Sequence, residues 1–120
     1  MVIQQGDVVW VELPPPRGSA PAGRRPAVVM QHDRFNRSSI KTIVVAAVTS
    51  NLKYANLPGN VKLRRRESGL PRESVVNVTQ IAKVDRSAVA KRIGQLSRGR
   101  LHDVWNGLRL VLEPPSEFSL

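Results

Sequence analysis

Arginine and hydroxyl side chains are the residues of this chain whose types and spacing could support chemistry. Arg25 opens a predicted strand after a glycine-containing loop, and Thr49 and Ser50 close the following predicted strand. If these strands are antiparallel neighbours, the start of one and the end of the other lie on the same rim. A fixed guanidinium beside hydroxyl donors suits the charge of a pentacoordinate phosphate transition state. The alternative interpretation is structural, with Thr49 and Ser50 serving only to end a strand.

Other kinds of chemical site lack support in the sequence. The chain has no cysteine, which excludes a disulfide scaffold, a thiolate zinc site and a cysteine nucleophile. His32 and His102 are far apart in sequence, so we expect no metal site. Glu12 and Asp33 could each act as a base, but isolated carboxylates are more typical of a protein surface. No nucleophile-elbow, Walker or dinucleotide-binding motif occurs, and we expect no cofactor.

The excess of basic residues points to a polyanionic partner. Lys and Arg number 19 against 9 Asp and Glu, giving a formal net charge of +10, while 41% of the residues are hydrophobic. This composition predicts one compact domain over residues 1–120. Charge alone leaves open nucleic acid, an acidic protein segment or an anionic membrane surface. The sequence shows neither a signal-peptide pattern nor an apolar run of about 18 residues, so we expect a cytoplasmic protein without a membrane partner.

About six short strands are predicted to position the candidate residues. The β-branched and apolar runs predict strands over residues 7–13, 25–31, 42–49, 60–63, 73–79 and 91–96. The near-continuous apolar run at 42–49 indicates burial on both faces. Residues 80–84 either continue the fifth strand or begin a short partner, 85–90 could form one helical turn, and 32–41 is expected to be a polar loop.

One C-terminal helix is predicted after the strands. Ser97 is a suitable N-cap, and two prolines end the helix. Its predicted apolar face comprises Leu101, Val104, Trp105, Leu108, Val111 and Leu112. Short strands followed by such a helix predict a mainly β (α+β) fold, a small bent antiparallel sheet or barrel with the helix covering an open side.

Several sequence blocks resemble the MazF/PemK/Kid family of toxin endoribonucleases. They are GDVVWVEL at 6–13, GS at 18–19, AGRRPAVV at 22–29 and VVAAVTS at 44–50, followed in the expected order by LPGNV at 57–61, SVV at 74–76 and QI at 80–81. The resemblance covers nearly the whole chain. It implies a homodimer of small SH3-like antiparallel β-barrels of the CcdB/PemK type, which cleave single-stranded RNA at short sequences without a metal and thereby inhibit translation and growth.

The resemblance also implies roles for three residues. Arg25 matches the catalytic arginine of the family, Thr49 its catalytic threonine, and Ser50 a position that often assists. Attack by the RNA 2′-hydroxyl would leave a 2′,3′-cyclic phosphate and a free 5′-hydroxyl. Arg25 would stabilise charge and donate to the leaving oxygen, because a guanidinium stays protonated and makes a poor base. Thr49 would donate to a non-bridging oxygen.

RNA specificity is expected to come from residues that read unpaired bases by hydrogen bonding and stacking. The candidates for RNA binding are Arg17, Ser19, Arg24, Gln31, Asn36, Tyr54, Asn77 and Gln80. The cognate antitoxin implied by the resemblance is expected to lay an acidic, initially disordered C-terminal segment across the same groove.

The chain departs from the family at possible acid–base positions. Ala20 stands where many relatives carry an acidic residue, and Asn77 and Thr79 stand where some carry Arg and Asp. The general base is therefore left open, although the loop residue His32 could substitute. Two alternatives remain: a toxin of the same fold that binds DNA gyrase without cutting RNA, as the CcdB group does, and an RNA-binding barrel without cleavage. Retention of the Arg and Thr pair argues against the gyrase alternative.

Overall fold

The β-branched runs of the sequence form one antiparallel sheet. The computed structural model describes residues 2–13, 18 and 23–116. Within these residues the strands are β1 (Asp7–Leu13), β2 (Gly23–Val29), β3 (Thr42–Thr49), β4 (Val61–Leu63), β5 (Ser74–Asp85) and β6 (Val89–Gln95). The α-helices are α1 (Asp33–Asn36) and α2 (Arg98–Leu112), and short 3₁₀ helices lie at Leu52–Asn56, Glu67–Gly69 and Arg86–Ala88.

The strand order is β4-β5-β3-β2-β1-β6, and neighbouring strands run antiparallel. Because side chains alternate between the two faces of a strand, Val8 and Val28 join one core cluster while Val9 and Val29 join the other. Most of β3 is buried on both faces, as its apolar run predicts. The curled sheet with one C-terminal helix forms a half-barrel, which confirms the predicted mainly β fold.

Helix α2 closes one side of the sheet, and its middle part is buried there. Ser97 caps the helix through a 3.2 Å hydrogen bond that its Oγ accepts from a backbone N–H in the first turn. Val104 and Leu108 are buried in the core cluster on that side. Val111 and Leu112, predicted on the same face, are 42% and 62% exposed. The helix lies where it is predicted, but the last turn of its apolar face is not packed into the core of the described residues.

The boundaries of β2 differ from the prediction by two residues at each end. Met30 and Gln31 both donate a backbone N–H to the carbonyl oxygen of Val44, at 3.0 and 3.2 Å, so the regular ladder ends at Val29. The segment 32–41, predicted as a loop, contains the short helix α1. His32 caps that helix, its Nδ1 accepting a 2.9 Å hydrogen bond from the backbone N–H two residues later.

A wide bulge bends β5 in its middle. Ala46 of β3 pairs with Ile81, whereas Val48 pairs with Val76. The single residue between the two on β3 therefore lies opposite four residues of β5. The Oδ1 of Asn77 supports the bulge by accepting hydrogen bonds from the backbone N–H and hydroxyl of Thr79, at 3.1 and 2.7 Å. Both halves of residues 74–85 therefore belong to one strand, and the bend brings the start of β5 beside the end of β3.

Candidate active site

The start of β2 and the end of β3 lie side by side on one rim of the sheet. The β2–β3 ladder pairs Ala27 with Ala47 in antiparallel register. Continuing this register by two residues places Arg25 opposite Thr49. The antiparallel pairing expected from the sequence is thus confirmed, and Arg25, Thr49 and Ser50 line one cleft.

Pro26 opens this cleft by ending the ladder between β2 and β3. Met30 donates its backbone N–H to Val44 of β3 at 3.0 Å, and residues two apart in a strand direct their backbone groups the same way. Pro26, which precedes Met30 by four residues, therefore also faces β3, but a proline has no N–H to donate. The pairing accordingly stops at Ala27, and the strand ends separate.

Three hydroxyl side chains line the cleft, which has a volume of about 380 Å³. Thr49 is half-buried, and its Oγ1 accepts a 3.1 Å hydrogen bond from the backbone N–H of Asn51. The hydroxyl hydrogen of Thr49 is not used in that bond and can be donated to a ligand. Ser50 is exposed beside it, and Ser74 at the start of β5 also lines the cleft.

Cationic groups determine which ligands the cleft can hold. Arg24, Arg25 and Arg72 line it, and the Arg24 guanidinium lies 5.6 Å from the centre of the Trp10 ring, within cation–π range. Among the described residues, no histidine, aspartate or glutamate lines the cleft. The site can therefore bind and polarise an anionic group such as phosphate. The part of the chain that the structure describes also holds no cluster of three acidic, His or Cys residues that could bind a metal.

Comparison with known proteins decides the family. The PemK-like, MazF-like toxins of type II toxin–antitoxin systems match residues 4–112 of this chain. The chain belongs to that family. The resemblance drawn from the sequence blocks is therefore confirmed. Across the described residues, no helix is long and apolar enough to cross a membrane.

Individual relatives match over nearly their whole length. The Mycobacterium tuberculosis protein named endoribonuclease MazF6 is 43% identical over 113 residues, which cover 94% of this chain and 99% of that protein. A crystal structure of MazF from Deinococcus radiodurans matches with a TM-score of 0.79 at 27% identity, covering 95% and 99% of the two chains. A crystal structure of MazE–MazF from the same organism matches with a TM-score of 0.75 at 26% identity, covering 96% and 99%.

Trp10 and Arg72 line the cleft of this family member, although the sequence analysis does not single them out. In the sequence, Trp10 occupies an ordinary position in a predicted β-strand, and Arg72 belongs to a predicted turn. The strand order and the bulge in β5 bring them to the rim, and neither feature is visible as a local pattern. A usable signal for Arg72 is its place two residues before β5, in the short segment that follows Pro71.

Three of the RNA-binding candidates group around the β5 bulge and do not line the cleft. Tyr54 is half-buried in the 3₁₀ turn that follows β3, and its carbonyl oxygen accepts a 2.9 Å hydrogen bond from Asn60 Nδ2. Asn60 Oδ1 in turn accepts a 3.0 Å hydrogen bond from the backbone N–H of Val78. Asn77 is buried, and Gln80 is half-buried in the same bulge. This group therefore lies next to the cleft along β3 and β5.

Two further candidates lie at the opposite end of the sheet. Gln31 Nε2 donates to Asn36 Oδ1 at 3.0 Å and to the Thr42 carbonyl oxygen at 3.1 Å. Asn36 is buried, and its Nδ2 donates to the Gln31 carbonyl oxygen at 2.8 Å. Thr42 begins β3 and Thr49 ends it, a separation of about 23 Å along an extended strand. Within one chain, these two amides hold the α1 segment in place and are remote from the cleft.

The remaining predicted residues have no part in the described walls. Arg17, Ser19 and Ala20 lie outside the described residues. His32 is at the α1 end of the sheet as a helix cap. Asp33, considered as a base, accepts hydrogen bonds from the Gln5 backbone N–H at 2.7 Å and from the Asn36 amide at 3.1 Å. These bonds, the Gln5 bond foremost, lower the pKa of Asp33 below its ordinary 3.8, so it is a weak proton acceptor.

Proposed function

We propose that this protein is an endoribonuclease toxin that cleaves single-stranded RNA in the cleft lined by Arg25 and Thr49. The observation that carries this proposal is the opposition of a guanidinium and a hydroxyl donor where the β2–β3 ladder ends. RNA supplies its own nucleophile, the 2′-hydroxyl, so such a site needs no cysteine and no metal. The name of the M. tuberculosis relative, an endoribonuclease, supports the same activity.

The proposed reaction breaks one phosphodiester bond. The 2′ oxygen attacks the adjacent phosphorus, and the bond from phosphorus to the 5′ oxygen of the next nucleotide breaks. The products are a 2′,3′-cyclic phosphate and a 5′-hydroxyl. The proton of the 2′-hydroxyl passes to solvent, and the leaving 5′ oxygen takes up a proton from solvent. No side chain of the described cleft walls is an ordinary general base at neutral pH.

The three site residues act on the charge that develops in this step. Arg25 stabilises the pentacoordinate phosphate and donates a hydrogen bond to the leaving 5′ oxygen. Thr49 donates its hydroxyl hydrogen to a non-bridging oxygen, and Ser50 assists from the adjacent position. Arg25 does not act as the base, because its guanidinium stays protonated.

Unpaired RNA suits the surfaces beside the cleft. The Trp10 ring with Arg24 over it is a flat cationic surface on which a base can stack. Tyr54 and Gln80 extend the RNA-binding surface along β3 and β5, and the buried Asn77 supports the bulge between them. Arg17 and Ser19 stay RNA-binding candidates on their sequence alone. Gln31 and Asn36 are less suitable in one chain because their amides are engaged at the far end of the sheet.

Two protein partners are part of the proposal. The toxin pairs with a cognate antitoxin whose acidic C-terminal segment competes with RNA for the basic cleft, consistent with the solved MazE–MazF structure of a relative and the net charge of +10. The toxin is also a homodimer. The exposed side chains of Leu110 and Leu112 at the end of α2 are an apolar surface of the kind that a second copy can cover.

Mapping of 5′-hydroxyl ends in total RNA after induction of the protein tests the function and reads its sequence preference. We expect ends at one short sequence, undiminished when purified protein and RNA are incubated with EDTA. Arg25→Ala should abolish cleavage and growth arrest while circular dichroism shows a folded protein, and Arg65→Ala, on the exposed β4–β5 connection, should cut like the wild type. Full activity of Arg25→Ala would overturn the assignment of the site. Loss of cleavage with EDTA would overturn the metal-free mechanism, and RNA binding without cleavage would overturn the proposed enzymatic activity.

A further inference from the structure

The turn before β5 fixes the backbone of Arg72 at the cleft. Leu70 is buried at 2% exposure, and its carbonyl oxygen accepts a 2.7 Å hydrogen bond from the backbone N–H of Arg66. On the other side, Ser74 Oγ donates a 2.9 Å hydrogen bond to the carbonyl oxygen of Arg72. The Arg72 side chain is nevertheless exposed and lines the cleft. Because the backbone is already held, binding of a ligand has to order only the side chain of Arg72 and not the turn itself.

The carboxylates near this turn are committed to other cations. Glu73, the chain neighbour of Arg72, forms a 2.9 Å ion pair with Lys62. Glu67 forms a 2.6 Å ion pair with Arg100 on α2. Among the described residues, no carboxylate lies within ion-pair distance of Arg72. The positive charge of Arg72 is thus not neutralised by a neighbour and faces the cleft.

Arg72 and Arg25 approach the hydroxyl groups from opposite sides. In the sheet, β3 lies between β2 and β5. Thr49 pairs with Val75 on the β5 side, and the continued β2–β3 register places Arg25 on the other. Arg72 precedes Val75 by three residues. A phosphate held at Thr49 therefore has one arginine on its β2 side and another on its β5 side.

We propose that Arg72 binds the RNA phosphate next to the one that is cleaved, so that two arginines hold the RNA backbone on either side of Thr49 and Ser50. The planar donor fork of arginine matches phosphate oxygens. Arg72 then contributes to binding of the RNA backbone regardless of base identity, while Arg25 acts on the reacting phosphate. This inference rests on the proposed RNA-cleaving function.

Binding to an uncleavable substrate tests Arg72 separately from catalysis. The probe is a single-stranded RNA carrying the mapped cleavage sequence with a 2′-deoxy nucleotide at the attacking position, and its Kd is measured over a series of salt concentrations. For Arg72→Ala we expect about tenfold weaker binding at low salt and a log–log salt slope shallower by about 0.7, the loss of one single-strand phosphate contact. Arg72→Lys should recover part of the affinity, and Arg65→Ala should match the wild type.

Single-turnover cleavage of the all-RNA substrate completes the test. At saturating enzyme, Arg72→Ala should cleave at a rate within about threefold of the wild type, because the lost contact acts on binding more than on the chemical step. Unchanged affinity and salt slope in Arg72→Ala would overturn the inference, as would a large loss of the saturated rate with unchanged affinity. A wild-type protein that neither binds nor cuts RNA would instead overturn the proposed function.

Discussion

The contact between Gly107 of α2 and Gly59 of the β3–β4 connection makes the substitution Gly107→Ala a sharp test of how the helix docks. A Cβ added at Gly107 would overlap the carbonyl oxygen of Gly59 and lie 2.7 Å from its carbonyl carbon. Both partners are backbone atoms, so no side chain can rotate away. The helix and the connection must therefore separate to admit the methyl group.

The expected magnitude follows from two opposing effects. Overpacking of a close contact costs about 1–3 kcal/mol. Replacing a helical glycine by alanine gains about 1 kcal/mol in helix propensity. The difference between these effects is a loss of about 0–2 kcal/mol, and we expect Gly107→Ala in the upper half of that range because the overlapping atoms belong to the backbone.

Gly99 in the same helix is the matched control. A Cβ added there would meet nothing within 4 Å, so Gly99→Ala should raise the free energy of unfolding by roughly 0.5–1 kcal/mol. Urea unfolding followed by circular dichroism measures both variants, with m-values compared to confirm two-state behaviour. If Gly107→Ala were stabilised as much as Gly99→Ala, the close approach of α2 to Gly59 would be refuted.

Two further predictions address the site and the charge network. Thr49→Val keeps the β-branched shape but removes the hydroxyl donor, so kcat for RNA cleavage should fall about 10²–10³-fold with KM little changed. Steady-state kinetics measure this, with Thr49→Ser as the control that keeps the hydroxyl. A loss of kcat under threefold in Thr49→Val would contradict the role of Thr49. Burial raises the pKa of Glu67, but hydrogen bonds from Arg100 and the Arg64 backbone N–H outweigh it and hold the pKa below 4.5. A lowered folded-state pKa gives stability that is present above the unfolded pKa and lost as the pH falls through the folded value. Glu67→Gln should thus lower the free energy of unfolding by about 1 kcal/mol at pH 7 and by progressively less below about pH 4. Chemical unfolding of both proteins across that pH range measures the difference. A difference that does not change with pH would contradict the prediction.

The strands and the β2–β3 rim could be predicted because their causes are local. Runs of Val and Ile favour strands whatever their partners, and two consecutive apolar strands joined by a short polar segment commonly pair antiparallel. That pairing alone places Arg25 and Thr49 together. The end of α2 was not predictable in this way, since periodicity marks Val111 as apolar but does not show how far the sheet extends beneath the helix.

The wider site depends on long-range register, which the sequence does not display. The pairing of Val48 with Val76, not with a residue nearer Ile81, requires the bulge that Asn77 supports. Arg72 reaches the cleft only through that shift. Gln31 and Asn36 are the opposite case. Their polar side chains predict RNA binding, but in the structure they hydrogen-bond to each other.

Two irregularities in strand pairing shape the cleft, one at its β2 wall and one further along β5 from its other, paired wall. On the β2 side, Pro26 lacks the N–H that would continue the ladder toward the end of β3. On the β5 side, the bulge shifts the pairing by three residues and turns the strand start toward Thr49. A fully paired sheet would leave no gap at this rim, and the arginines would project from a closed edge. The same two irregularities therefore create the space for a phosphate and bring arginines to both sides of it, so the position of the site is set by the backbone as much as by its charged side chains.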